Sequence, residues 1–201
     1  IFYKAIALQP DKPESYYKLG LVYQLLNNVQ KSESFLVKCI SIKNDFYKAY
    51  LILGEILFSQ GRSYEAEEIY RKVIYLKDDL LIPYLNLGSL LRERGQNHDA
   101  EIMTRKAIKL KPDFPESYNN LAAILRDLQK PEEARLYAKR AISIRKNFAK
   151  AYLTIVSLTT YGSNEKWEDY LFSNEIIKNQ SEVDLIDIFF ARAKLLDMYK
   201  D

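Results

Sequence analysis

Asn86 and Asn120 stand 34 residues apart, and so do Arg92 and Arg126. An asparagine amide carries two donors and an acceptor, so it can pair with a peptide backbone whatever the side chains are. An arginine presents a fork of donors suited to a carboxylate or a phosphate. Both pairs belong to longer series with the same spacing. One runs Lys18, Ile52, Asn86, Asn120, Thr154, the other Gln24, Phe58, Arg92, Arg126, Thr160. Tyr17 and Phe58 would add apolar contact area nearby. The chemistry open to such groups is recognition of an extended chain with some negative charge, not bond making.

Catalytic chemistry has little to work with. His98 is the lone histidine and Cys39 the lone cysteine. His98 sits in GQNHDAE with only carboxylates near it, too few ligand types for a zinc site, so a solvated polar residue is expected. Nothing near Cys39 in the chain would lower its pKa, so it is expected to be a core residue and not a nucleophile. Glu67, Glu68, Glu132 and Glu133 read as solvated outer faces, and Asp11 and Asp113 match no calcium loop. No metal, no cofactor and no enzyme activity within the chain are expected.

The 201 residues are 48% hydrophobic and 28% charged, enough apolar content to fill a core. Six glycines and six prolines leave few turn residues for an all-β fold. A net charge of +3 argues against a dedicated nucleic-acid binder. The most apolar run, LILGEILF, is broken by Glu55 and too short for a bilayer, so no membrane partner is expected. The opening IFYKAIALQP lacks the pattern of a signal peptide and reads as the tail of a helix. A cytoplasmic location is the expectation, and the Asn-Gln-Ser triplet at Asn179 is read as chance.

The elements that must position these groups follow from the repeat. Tyr16, Tyr50, Tyr84, Tyr118 and Tyr152 are spaced by 34 with no slip. Leu19, Leu53, Leu87, Leu121 and Ile155 follow three residues behind, and Gly20, Gly54, Gly88, Ala122 and Val156 come next. Each period reads as two helices. Tyr50, Leu53, Gly54 and Leu57 make one helical stripe, and Ala66, Ile69, Tyr70 and Val73 make the next. Gly61 and Gly95 fit helix C-termini that need a left-handed residue. The small columns, Ser32 with Ala66, Ala100 and Ala134, and Cys39 with Val73, Ala107 and Ala141, mark close helix contacts.

These residues resemble the tetratricopeptide repeat, with Tyr84, Leu87, Gly88, Leu91, Gly95, Ala100, Ala107 and Pro112 carrying the fullest match. The resemblance implies an all-α fold, a right-handed superhelix (a solenoid of helix–turn–helix repeats), with the first helices lining a concave groove. It also implies protein or peptide binding there. The expected organisation is one domain over 1–201. It comprises a partial repeat at 1–12, repeats at 13–46, 47–80, 81–114 and 115–148, a degenerate repeat at 149–180 and a partial sixth at 181–201. In the degenerate repeat YGSNEKW replaces the tidy turn, and a second helix is expected over about 165–178 with Trp167, Tyr170, Leu171 and Ile177 on its stripe. The helix at 190–201 reads as the first of the sixth repeat, with Ala193 in the small place and Leu196 in the large one, on a face whose covering helix is missing. Both chain ends read as cut, which makes self-association through end repeats an expectation.

Two narrower resemblances extend the functional expectation. The Asn86–Asn120 ladder is similar to one in the repeat arm of O-linked N-acetylglucosamine transferases. FARAKLLD after a degenerate repeat is similar to bacterial proteins in which tetratricopeptide repeats precede a sulfotransferase domain. Either would make the chain the substrate-positioning arm of a larger transferase. A further subtype grips a C-terminal carboxylate with basic and asparagine residues. In its places stand Tyr17 with Leu21, Leu51 with Glu55, and Leu85 with Ser89, which argues against that clamp. The leading expectation is a protein-interaction module, with Asn86, Asn120, Arg92, Arg126, Tyr17 and Phe58 as contacts for a protein or extended peptide.

Overall fold

Helices follow one another along a computed structural model that describes residues 2–159 and 165–200. The described residues hold twelve, and no strand. They are α1 (Phe2–Leu8), α2 (Pro13–Leu25), α3 (Val29–Ile42), α4 (Tyr47–Ser59), α5 (Ser63–Leu76) and α6 (Leu81–Glu93). Then come α7 (Asn97–Leu110), α8 (Pro115–Asp127), α9 (Pro131–Ile144), α10 (Ala149–Leu158), α11 (Lys166–Phe172) and α12 (Glu182–Met198). The fold is therefore all-α and built of repeated helix pairs, as the 34-residue period requires. Residues 1–90 and 91–201 form two compact units.

Local chemistry sets the helix ends. Pro13, Pro115 and Pro131 open α2, α8 and α9, where the missing N–H costs nothing and the fixed φ suits a helix. Asn28 caps α3 by accepting from the Lys31 N–H at 3.2 Å. The turns within the four full repeats each carry one left-handed residue at the same place in the period: Asn27, Gly61, Gly95 and Gln129, with φ of 55°, 74°, 74° and 59°. The next N–H then reaches back to a carbonyl five residues upstream, as Arg62 does to Leu57 and Lys130 to Leu125, each at 2.9 Å. That is the Schellman closure, and it satisfies carbonyls the helix leaves open.

In the first unit α2 packs on α3 and α4 on α5. Leu36, Cys39, Ala66, Tyr70 and Val73 are wholly buried. The glycine column has the packing reason the sequence suggested. A Cβ on Gly54 would lie 2.7 Å from the Tyr70 ring, and one on Gly20 would lie 2.8 Å from the Leu36 side chain. The small residue is the hole into which the large residue of the partner helix fits. Ser32, in the other small column, donates its hydroxyl to the Gly20 carbonyl at 2.7 Å. Burial pushes the Cys39 thiol up to about 11, which keeps it protonated and inert.

The second unit holds α7 to α12 and the last turn of α6. Its core gathers Ala122, Ala138, Ala141, Tyr152, Ile155, Leu171, Ile176, Ile188, Ala191 and Leu195. The tyrosine column does more here than fill space. Tyr118 donates to the Pro112 carbonyl at 2.9 Å and Tyr152 to the Lys146 carbonyl at 2.8 Å. Each hydroxyl thus ties a first helix to the turn that delivers it.

The last third departs from the expectation. Residues 160–164, which include Thr160 and most of the YGSNEKW turn, lie outside the described residues. α11 ends at Phe172, not near 178. Ser173 is extended, and the Arg192 guanidinium donates to the Leu171 and Ser173 carbonyls at 2.7 and 2.8 Å, closing the helix end from outside. α12 begins at Glu182, capped by Ser181, well before residue 190. Its buried face is Ile188, Ala191 and Leu195, while Ala193 and Leu196 are exposed. The helix is rotated from the repeat register because it covers α10 and meets α11 as well. No helix among the described residues is long and apolar enough to cross a membrane.

Candidate functional site

Three of the six expected contact residues come together. Arg92, Asn120 and Arg126 line one pocket of about 330 Å³ in the second unit. Asn119, Ala123, Lys150, Leu153, Thr154, Ser157 and Asp187 complete it. Arg92 comes from the end of α6, the asparagines and Arg126 from α8, and Lys150 to Ser157 from α10. Asp187 is supplied by α12. Successive first helices place equivalent turns side by side, which is why residues one period apart converge.

Asp127, absent from the expectation, governs the arginines. The Arg92 Nε donates to its carboxylate at 2.6 Å, and the Arg126 guanidinium lies 3.3 Å from the other oxygen. Arg126 also reaches the Ser157 hydroxyl at 3.4 Å. Both arginines therefore share one carboxylate, and a ligand anion must compete with it. The acidic column Glu93–Asp127 was visible beside the arginine column, so the signal existed in the sequence. Lys150 has no ion-pair partner among the described residues and is exposed, which makes it the open cation of the pocket.

Asn119 is the second missed residue. It occupies the column of Tyr17, Leu51 and Leu85, one rung beyond the three places compared above. Its side chain is 9% exposed, and its amide oxygen is buried with no hydrogen-bond partner among the described residues. A buried acceptor left open is uncommon and calls for a donor. Asn119 and Asn120 stand at adjacent positions of the same pocket.

The other three expected residues lie in the first unit. Asn86 is half-buried, and its amide donates to the Tyr70 hydroxyl at 3.3 Å, linking α6 to α5. Tyr17 is half-buried with its ring centroid 5.2 Å from that of Phe46, and burial raises its pKa. Phe58 is half-buried on α4. Nearby, burial also raises the pKa of Glu55, whose charge acts in turn on Tyr17 and Tyr70. Among the described residues no group of three His, Cys, Asp or Glu side chains is placed to hold a metal ion. His98 is exposed.

Comparison with known proteins agrees with the repeat. A family model described as Tetratricopeptide repeat matches residues 13–46, 47–80 and 83–114, and a second with the same description matches 116–147. No curated protein matches the sequence. Among solved structures, YrrB, described as a TPR protein with an unusual peptide-binding site, is similar with a TM-score of 0.74. It is 17% identical, over 100% of this chain and 98% of its own. MamA gives 0.68 at 24% identity, over 74% and 87% of the two chains. PilF of Pseudomonas aeruginosa gives 0.70 at 20%, over 92% and 88%. At these identities the likeness is one of fold. Nothing in these matches supports the sulfotransferase-linked resemblance of residues 190–197.

Proposed function

The chain belongs to the tetratricopeptide repeat proteins, and from that premise we propose that it is a protein-interaction module whose second unit binds an extended, acidic peptide segment. The observation that carries the reading is the pocket of Arg92, Asn119, Asn120, Arg126 and Lys150. The Asn119 amide, on the wall of this pocket, pairs with the backbone of the bound segment. Lys150 receives a carboxylate, and Arg92 and Arg126 turn from Asp127 toward it. Backbone contacts give affinity with little sequence demand, and the cations supply the preference for negative charge. A peptide-binding site is named for YrrB, which shares the fold, and this agrees with the proposal.

The test is a display library of random peptides selected on the intact chain, followed by fluorescence polarisation with the peptides recovered. Acidic, extended sequences are expected. Replacing Asn119, Asn120, Arg126 and Lys150 together by alanine should weaken them by about 100-fold, the sum of a few charge-assisted bonds. Raising salt should reproduce part of that loss. Peptides that bind the quadruple variant as tightly as the parent would overturn the reading.

One observation favours a second reading. Ile186, Phe189, Phe190 and Leu196 of α12 are between 49% and 66% exposed. An apolar stripe of this kind marks an interaction surface, and a second copy of the chain is the proposed occupant. Light scattering across a dilution series should show a dimer that Phe189→Ser with Phe190→Ser abolishes. A monomer at every concentration would exclude it.

A further inference from the structure

A second pocket in the same unit, of about 530 Å³, shares no lining residue with the first. Its origin is the early end of α11. A second helix of full repeat length would run to about residue 178, but α11 stops at Phe172. Ile142, Ser143 and Lys146 from α9 and its following turn therefore face Trp167, Tyr170 and Ser173 across an open space floored by Tyr152. The gap is a consequence of non-local packing, and its volume falls in the range of small-ligand sites.

The lining has a definite chemical character. Three rings cluster there. Tyr152 and Tyr170 are stacked with centroids 6.3 Å apart, and Tyr152 and Trp167 are tilted at 6.5 Å. Three lysines stand around them, of which Lys139 is committed to Glu165. Lys146 and Lys166 are exposed and have no ion pair among the described residues. Asp169 is the single acidic residue in the lining. The indole N–H of Trp167 is buried and has no acceptor among the described residues, although the ring is only 9% exposed. Aromatic faces and two uncommitted ammonium groups ask for the same ligand. It should be planar and aromatic, and it should carry an oxygen anion.

We propose that this pocket binds a small aryl carboxylate, with its ring against Trp167 and Tyr170, which Tyr152 backs from beneath, and its carboxylate held by Lys146 and Lys166. The site is independent of the peptide pocket and does not rest on that reading.

Trp167 is the sole tryptophan of the chain, so its fluorescence reports on this pocket alone. Phenylacetate is the probe, titrated to about 20 mM, where even a weak site of millimolar affinity saturates. Excitation at the red edge of the indole band avoids absorption by the probe. A saturable change in Trp167 emission is expected, together with saturation-transfer NMR signals from the phenyl protons. Phenylacetamide, which lacks the charge, and acetate, which lacks the ring, should each bind at least about tenfold more weakly. Lys146→Gln with Lys166→Gln should bring phenylacetate down to the level of phenylacetamide, because exposed lysines can be exchanged with little effect on folding. Ser143→Phe, which fills the space from the solvent side, should block the probe while circular dichroism stays unchanged. No saturable change, equal binding of acetate, or binding unaffected by both the lysine and the Ser143 variants would overturn the proposal.

Discussion

Gln129 and Asn27 adopt the left-handed conformation that Gly61 and Gly95 adopt at the same place in neighbouring repeats. Nothing lies within 4 Å of a Cβ built on either glycine, so a side chain there meets a backbone penalty and no packing clash. Gln129→Gly should therefore stabilise by about 1 kcal/mol, and Gly61→Ala should cost a similar amount. Urea midpoints would check both. Asn27→Gly should gain less, since asparagine tolerates this region. Gly54 and Glu55 make the opposite case, of side-chain space and charge. Gly54→Leu drives its side chain into Tyr70 and should cost about 3 kcal/mol or more. Glu55 is held above the usual carboxylate range by burial. Its ionised form is thus penalised in the folded chain, and the penalty applies at pH values above its folded pKa. Glu55→Gln should raise the melting temperature at neutral pH. The gain should shrink as pH falls through the raised pKa and vanish below the ordinary glutamate value.

At the scale of elements, the close of α11 rests on one side chain of α12. Arg192 donates to two carbonyls, those of Leu171 and Ser173, from a half-buried position. Arg192→Ala leaves both without donors and should destabilise by about 2 kcal/mol. Lysine cannot span two divergent acceptors with a planar fork, so Arg192→Lys should recover only a minor part. Hydrogen exchange would place the loss in α11 and α12, with α8 and α9 unaffected. This contact was not legible in the sequence. The period identified residues 165–178 as a second helix, and the stripe of Trp167, Tyr170 and Leu171 agrees with what is observed. Where that helix stops depends on an arginine about 20 residues away, and a local pattern carries no record of such a partner.

On the scale of the molecule, the chain divides into two compact units, residues 1–90 and 91–201. Tetratricopeptide arrays are stabilised by intrinsic repeat terms and neighbour interfaces, so all-or-none unfolding is not guaranteed. Trp167 reports on the second unit alone, whereas circular dichroism reports on every helix. Urea transitions followed by the two signals should fail to coincide, with different midpoints. Coincident curves would show a single cooperative block.

The repeat could be read from the sequence because burial in a helix pair recurs with the chain's own period. Tyr, Leu and Gly return every 34 residues since each meets the same neighbour in every copy, as Gly20 meets Leu36 and Gly54 meets Tyr70. Helix existence, turn chemistry and the small columns followed from that alone. The polar side chains obey no such rule. Arg92 and Asn120 line one pocket, but whether an arginine is open to a ligand depends on Asp127, and whether an asparagine is satisfied depends on Tyr70 for Asn86 and on no described group for the Asn119 oxygen. Long side chains choose partners across helices by distance and angle, within a few ångströms that sequence spacing does not set. The end of α11, the rotation of α12 and the aromatic pocket between α9 and α11 were decided the same way, by contacts between segments far apart in the chain.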